Sequence, residues 1–411
     1  MRPPPFSPGH RPRVVLCWPY YRRGFVTAFE SLRERFDFVF VSSIRRSAAE
    51  SIHTDLPRAY FDDYSSAREM LCALHAEAVL FMAIDDARSI ATNLAAQSLG
   101  IPTILYQHGL FLDLEGYRAV HRNWRSQPVA QVPGGGGRDS ISFLLKSGTP
   151  TRWPSLAAAV GYLLLARRVG TLEASVRMRG RFRLPDSFIR YTARASRVYE
   201  QIHGATASSS YFIGNPEYDA YLLEFQRPPA RERRHVLLVD SPLTGNRWGK
   251  ILRERHEVVA CYERLRAYAA ARGQRLLIKL HPESYADDWR PAWPDVEWLR
   301  DCDLPAIMRD AQVVFSMPST LMIPAALLNR LCIIGAFPHD DVGRLAALGV
   351  AVVMRDLDDD PEHVDFGSIE KEGSGFDTFV RDYFHSTDGT ATSRLGDAIQ
   401  TTIASFGTLR S

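Results

Sequence analysis

Short apolar runs that do not alternate with polar residues, each followed by a stretch of helical spacing, constrain this chain more than any other feature. Runs of that kind suit strands covered on both faces, and their alternation with helices predicts parallel sheets. In the first half, Arg13–Trp18, Phe36–Val41, Ala78–Ile84 and Ile101–Gln107 read as strands. Ser65–Glu77 reads as a helix, and so does the run from Asp85-Asp86 to Leu99, which Gly100 stops. The rhythm lapses after Leu110, where Val132-Pro133 and the glycines Gly134–Gly137 mark a long loop, and helical spacing returns from Trp153 to Gly204. A strand and turn follow over Ala207–Asp219. The second half restarts with strands at His235–Asp240, Gln274–Leu280, Val313–Ser316, Leu331–Phe337 and Val350–Met354, with a long helix over Trp248–Arg272. The expected fold is α/β, two Rossmann-like lobes facing a cleft. Its expected divisions are a disordered arm over 1–12, an N-terminal lobe over 13–224 and a C-terminal lobe over 235–411, joined by the Pro- and charge-rich Phe225–Arg234.

At 411 residues, the chain has room for two such lobes. A net charge of only +3 argues against a dedicated nucleic-acid binder. The cysteines Cys17, Cys72, Cys261, Cys302 and Cys332 are scattered singly, so neither a zinc module nor a disulfide framework is expected. Met1–Arg13 has five prolines and no apolar core of a signal peptide. The longest apolar run, Leu156–Ala166, has eleven residues, whereas a bilayer span needs about 20. A cytoplasmic protein is the expectation.

Open α/β sheets bind ligands beyond the carboxyl ends of their strands, and the polar residues of this sequence collect there. The second half places Asp240-Ser241, Lys279-Leu280-His281-Pro282-Glu283 and Ser316-Met317-Pro318-Ser319-Thr320 at such ends. Ser319 and Thr320, read at a helix start, would offer hydroxyls beside free N–H groups to a phosphate, or would simply cap the helix. His281 precedes a proline and so projects from extended backbone, placed either to donate to a phosphate oxygen or to serve the structure. The 38 residues from His281 to Ser319 leave room for one βα unit, which would set the two on adjacent strand ends. In the first half the notable end is Gln107-His108-Gly109, where an imidazole is suited to take a proton from a hydroxyl near neutral pH. The acidic run Asp356, Asp358, Asp359, Asp360 precedes Pro361-Glu362 and reads as a helix start rather than a metal site.

The KLHPE run (Lys279–Glu283) and the SMPST run (Ser316–Thr320) resemble the HP and Ser-Ser/Thr motifs of bacterial GT-B glycosyltransferases of capsule and lipopolysaccharide assembly, the CMP-sugar-dependent sialyltransferases and Kdo transferases. GNPEYD (Gly214–Asp219) is similar to a run common in GT-B enzymes, and the resemblance spans roughly residues 100–340. It implies nucleotide contacts from Lys279, His281, Pro282, Glu283, Ser316, Ser319 and Thr320. It also implies a CMP-sugar donor, an ulosonic acid such as Kdo or sialic acid, a polysaccharide or lipid-linked acceptor, and no metal or other cofactor. Asp240 resembles the strand-end nucleophile of retaining β-Kdo transferases, although Ser241-Pro242 follows where that family has Gln-Thr. The acidic first-lobe base of the sialyltransferases finds its counterparts here in Glu115 and Asp113, beside His108.

Two other functions fit parts of the same pattern. CDP-polyol phosphotransferases of teichoic-acid type share both motifs and a catalytic first-lobe His-Gly, although their Thr-Asp-Tyr-Ser-Ser run is absent. A non-catalytic carbohydrate-binding protein of the same fold is the other alternative, because Ile323-Pro324 stands where related enzymes often carry an acid. Finally, ten arginines against Glu173, Asp186 and Glu200 between Thr151 and Glu200, beside Leu156–Ala166, suit peripheral contact with an anionic membrane, a grip on an anionic polysaccharide or lipid-linked acceptor, or a solvated helix face.

Overall fold

A computed structural model describes residues 10–20, 23–43, 54–109, 114–115, 118, 137–148, 153–204, 209–228, 235–244, 253–281, 284, 290–336 and 340–408. These residues form two all-parallel sheets in two compact units.

The first sheet contains β1 (Arg13–Cys17), β2 (Asp37–Ser42), β3 (Arg58–Tyr60), β4 (Ala78–Phe81), β5 (Thr103–Tyr106), β6 (Ser187–Arg190) and β7 (Ser210–Phe212), in the order β3-β2-β1-β4-β5-β6-β7. The order reverses between β1 and β4, the doubly wound pattern. The helix Ala87–Leu99 between β4 and β5 follows from its sequence. Asp86 accepts from the N–H groups of Arg88 and Ser89 in a capping box, and Gly100 ends the helix at φ 71°, where a side chain would be strained.

The second sheet contains β8 (His235–Val239), β9 (Arg275–Lys279), β10 (Val296–Leu299), β11 (Val313–Ser316), β12 (Leu331–Ile334) and β13 (Ala351–Met354), in the order β10-β9-β8-β11-β12-β13. Alternate strand residues serve two cores. Val236, Leu238, Ile278 and Phe315 pack with Cys261, Tyr262 and Leu265 of the helix Arg255–Ala271. Leu237, Val239, Leu277 and Val314 pack with Met308, Met322 and Phe379 of helices on the other face. Side chains so completely buried each contribute about 1.5–3 kcal/mol, and burial on both faces explains the lack of polar alternation in the sequence.

The domain limits differ from those expected. The first unit comprises 1–109, 132–217 and 390–411, and the second comprises 110–131 and 218–389. The boundary therefore falls inside GNPEYD, between Glu217 and Tyr218, rather than at Phe225–Arg234. The reason is packing: Tyr218, Tyr221 and Leu222 belong to the core of the second unit. The helix Ala391–Thr408 returns to the first unit, where Thr402 hydrogen-bonds Ser187 of β6, Asp397 pairs with Arg35, and Arg394 donates to the Ile213 carbonyl. The arm over 1–9 and most of the glycine-rich loop lie outside the described residues, although Gly137 opens the helix Gly137–Ser147.

Candidate functional site

In the second unit, the sheet order reverses between β8 and β11, so the polar ends of these strands meet at the switch point. Asp240 follows β8 directly and is 4% exposed. Its carboxylate accepts from the Tyr262 hydroxyl at 2.7 Å, from the Ser284 hydroxyl at 3.2 Å, and from the backbone N–H groups of His281 and Ser241. Burial raises its pKa to about 6, against the lowering effect of these four donors. A nucleophile needs an oxygen free to approach the anomeric carbon, and both oxygens here are engaged. The carboxylate ties the β8 end, the His281 turn and the helix Arg255–Ala271 together.

His281 stands two residues past β9 and is half-buried; its carbonyl accepts from the Ser284 N–H at 2.9 Å. His281 and Ser319 do not lie on adjacent strand ends. The chain runs outward from β8 to β10 and then crosses to β11, so β9 and β11 flank β8. The two ends are thus two strand spacings apart, about 10 Å. Lys279 is farther removed. Its Nζ donates to the Arg300 carbonyl at 2.9 Å beyond β10, and burial lowers its pKa. The ammonium also donates to the Leu280 carbonyl at 3.4 Å, so it lies between the ends of β9 and β10, more than two strand spacings, or about 10 Å, from β11.

The SMPST run divides into an interior and a surface part. Ser316 is fully buried and donates to the Met317 carbonyl, so it is walled off from any ligand. Thr320 is exposed, and its carbonyl accepts from the Tyr218 hydroxyl. Neither Ser319 nor Thr320 caps a helix. The helix Met322–Leu328 starts later, with Leu321 at its N-cap and no side-chain cap bond. The Ser319 Oγ is buried and has no hydrogen-bond partner among the described residues.

In the first unit, His108 and Gly109 follow β5. The half-buried imidazole packs edge-on against Phe25 at 4.5 Å and Trp18 at 5.8 Å between centroids. Gly109 has φ 68°, a conformation that favours glycine. Gln107, fully buried, sets this loop: its side-chain oxygen accepts from the Tyr191 N–H at 2.8 Å and its amide donates to the Gly109 carbonyl at 3.0 Å. Glu115 is 71% exposed, pairs with Arg118, and belongs to a segment of the second unit. Asp113, Pro282 and Glu283 lie outside the described residues.

Sequence reasoning missed Tyr262 and Ser284, and it placed Gln107 at a strand end without giving it a role. Ser284 had a faint signal, a hydroxyl one turn past His281. Tyr262 had none, since it resembles any aromatic residue on a buried helix face.

The acidic run is engaged in structure: Asp356 pairs with Arg253, Asp359 accepts from the Arg355 N–H, and Asp360 caps the turn at Pro361–His363. Of the arginine-rich stretch, Arg183 and Arg190 are interior. Arg183 donates to the Ile84 carbonyl, and Arg190, 1% exposed, lies over the Phe188, Tyr199 and Phe212 rings. The apolar run Leu156–Ala166 lies within the helix Trp153–Val169, which buries Leu156, Ala159 and Tyr162 in the core and leaves Leu164 60% exposed. Among the described residues, no helix is long and apolar enough to cross a membrane.

No protein-family model and no curated relative matches the sequence. Among solved structures, the chain is similar to a histidine variant of the wall teichoic acid polymerase TagF soaked with CDPG, at 12% identity over 96% of this chain and 89% of that one, with TM-score 0.52. It is also similar to UDP-N-acetylglucosamine 2-epimerase from Rickettsia bellii, at 12% identity over 97% and 98% of the two chains, with TM-score 0.50. A putative UDP-N-acetylglucosamine 2-epimerase from Listeria monocytogenes matches at 13% identity over 95% and 96%, with TM-score 0.50. Polymerase and epimerase share this architecture, so the likeness speaks to the fold rather than to one reaction. The chain has the two-lobe α/β fold of GT-B type.

Proposed function

We propose that this chain is a glycosyltransferase that moves a sugar from a CMP-activated donor, an ulosonic acid such as Kdo or sialic acid, to a surface-polysaccharide or glycolipid acceptor. The observation that carries the reading is the end of β8. There Asp240 fixes the His281 turn on one side, and on the other Ser319 has a buried hydroxyl without a partner among the described residues. A nucleotide lying across this strand end would reach both, with its phosphate satisfying the Ser319 hydroxyl and accepting a charge-assisted bond from His281. Asp240 then acts as a positioning residue. Lys279 and Ser316 take no part in this reading, because one is turned towards β10, on the Leu280 and Arg300 carbonyls, and the other is enclosed. His108, held by Gln107 and Gly109 at a strand end of the other unit, is the group proposed to take the acceptor proton. Glu115, already paired with Arg118, is the weaker candidate.

Transfer of a polyol phosphate from a CDP-polyol is the second reading, favoured by the His108-Gly109 pair and the fold likeness to TagF. A thermal-shift panel of CMP, CDP, UDP and GDP tests the shared part: selective stabilisation by cytidine nucleotides is expected, and an equal response to all four would sink it. Turnover of CMP-sugars against CDP-polyols then separates the readings, since only the second transfers phosphate to the acceptor. His281→Ala is expected to lower turnover at least tenfold. Activity undiminished in that variant removes the proposed phosphate contact.

A further inference from the structure

The first unit has a cavity of about 380 Å³ at the carboxyl edge of its sheet. Its wall is built from the residue after β2, the turn after β4, and the helices Gly137–Ser147, Trp153–Val169 and Thr171–Arg177. The volume falls in the range of small-molecule sites, roughly 300–1,000 Å³.

The charges at this cavity select among ligands. Asp85 and Asp86 both line it. Asp86 is spent on capping the helix Ala87–Leu99. Arg88 is paired with Asp62, and Arg167 lies exposed at the rim. No side chain of another described residue donates a hydrogen bond to the Asp85 carboxylate. A phosphate here would face the Asp85 and Asp86 carboxylates, whose charge Arg183 and the rim Arg167 offset in part. A neutral hydroxyl meets no such penalty and gives the Asp85 carboxylate a donor beyond its own backbone N–H. Ser43, Ser140 and Thr171 add hydroxyls that both donate and accept, while Ile141, Leu163 and Ala166 supply apolar surface for the C–H face of a ring.

We propose that this cavity binds a neutral, hydroxyl-rich saccharide ring, with the Asp85 carboxylate accepting a hydrogen bond from one of its hydroxyls. The assignment rests on the glycosyltransferase reading for its role, the acceptor subsite of that reaction, but the binding itself is separable from nucleotide recognition. Burial, then the neighbouring Asp86 charge, raises the Asp85 pKa to about 6, while Arg183 pulls it down. The groups facing it are Asp86 and Arg88 on its own turn and helix, Arg183, Tyr162, and Arg167 at the rim. None of these is a histidine, and the pH dependence of saccharide affinity is assigned to Asp85.

Ligand-observed NMR on the full chain tests this with the methyl glycosides of glucose, galactose, mannose and N-acetylglucosamine, and with inorganic phosphate and CMP in parallel samples. At least one glycoside is expected to bind, about tenfold more weakly at pH 5 than at pH 7.5, as expected for a carboxylate of pKa about 6. Asp85→Asn is expected to flatten that dependence and weaken binding at least fivefold at pH 7.5. Ile141→Trp, which fills the cavity and leaves the carboxylate alone, is expected to abolish binding. Absence of binding by all four glycosides, binding indifferent to both variants, or phosphate competing with the glycoside overturns the proposal. CMP binding retained in both variants shows that the nucleotide site is intact. Glycoside binding in a chain that ignores every nucleotide would instead overturn the proposed function and leave the cavity assignment standing.

Discussion

Asp240 and Asp85 stand at the carboxyl edges of the two sheets, and burial lifts both to a pKa of about 6. Their surroundings are otherwise opposite. Asp240 collects four donors and is closed off, whereas Asp85 has no donor from another described side chain and lines a cavity. A buried carboxylate whose two oxygens are both taken by donors serves the fold, and one with acceptor capacity left over beside a cavity can take a donor from a ligand. The same titration shift thus accompanies two different roles, and the donor set distinguishes them.

The sharpest way to break this contrast is to remove each carboxylate and measure stability by denaturant unfolding. Asp240→Ala strands the Tyr262 and Ser284 hydroxyls and two backbone N–H groups, at about 1–3 kcal/mol for each buried donor left unpaired. Some of these donors will find water, so a loss of about 3 kcal/mol or more is expected. A loss below ~1 kcal/mol would show that Asp240 does not hold its surroundings together. Next in size is Gln107→Ala, which leaves the Tyr191 N–H and the Gly109 carbonyl without partners in a closed interior. About 2 kcal/mol of stability is expected to go. Turnover is expected to fall with it, because the His108 backbone is anchored between those two bonds.

Asp85→Asn is expected to act in the opposite direction. A carboxyl group with a raised pKa binds its proton more tightly folded than unfolded, so folding is favoured below about pH 4 and that advantage is lost as pH rises through 6. The isosteric amide carries no charge to desolvate. It is expected to gain about 1 kcal/mol at pH 7 and nothing near pH 4. A loss at pH 7 would mean that the ionised carboxylate has a stabilising partner in the free protein, and the contrast with Asp240 would collapse.

The sequence revealed the parts of the molecule whose signals are local. The capping of Ala87–Leu99 by Asp86 and its stop at Gly100 needed only neighbouring residues, and β8, β9 and β11 declared themselves as short apolar runs. β6 stayed hidden because Arg190 sits in it as a charged residue, and its guanidinium is accommodated inside by Ser210 and the Phe212 ring of β7 and by Glu200 and the Tyr199 ring of the helix Ala193–His203. β10 is an edge strand whose exposed Glu297 interrupts the apolar pattern. The site was legible as a set of strand ends but not as an arrangement. Nothing near His281 or Ser319 records that the chain crosses back over β8, which is what separates their strands, sends Lys279 outward and leaves Asp240 between them.

The smallest expected change in stability belongs to Ser319→Ala, and it bears directly on function. Among the described residues this buried hydroxyl has no partner in place of its lost water, so its removal is expected to leave stability unchanged within about 0.5 kcal/mol or to raise it slightly. Hydrogen bonds to a charged group contribute about 1.5–3 kcal/mol, so if the hydroxyl waits for a phosphate, CMP affinity should drop tenfold or more. Calorimetric titration of CMP beside a denaturant melt reads both quantities on one preparation. A marked loss of stability with CMP affinity unchanged would mean that Ser319 belongs with Asp240 among the residues that hold the fold. The opposite result places it with Asp85, among the groups proposed to keep hydrogen-bonding capacity for a ligand.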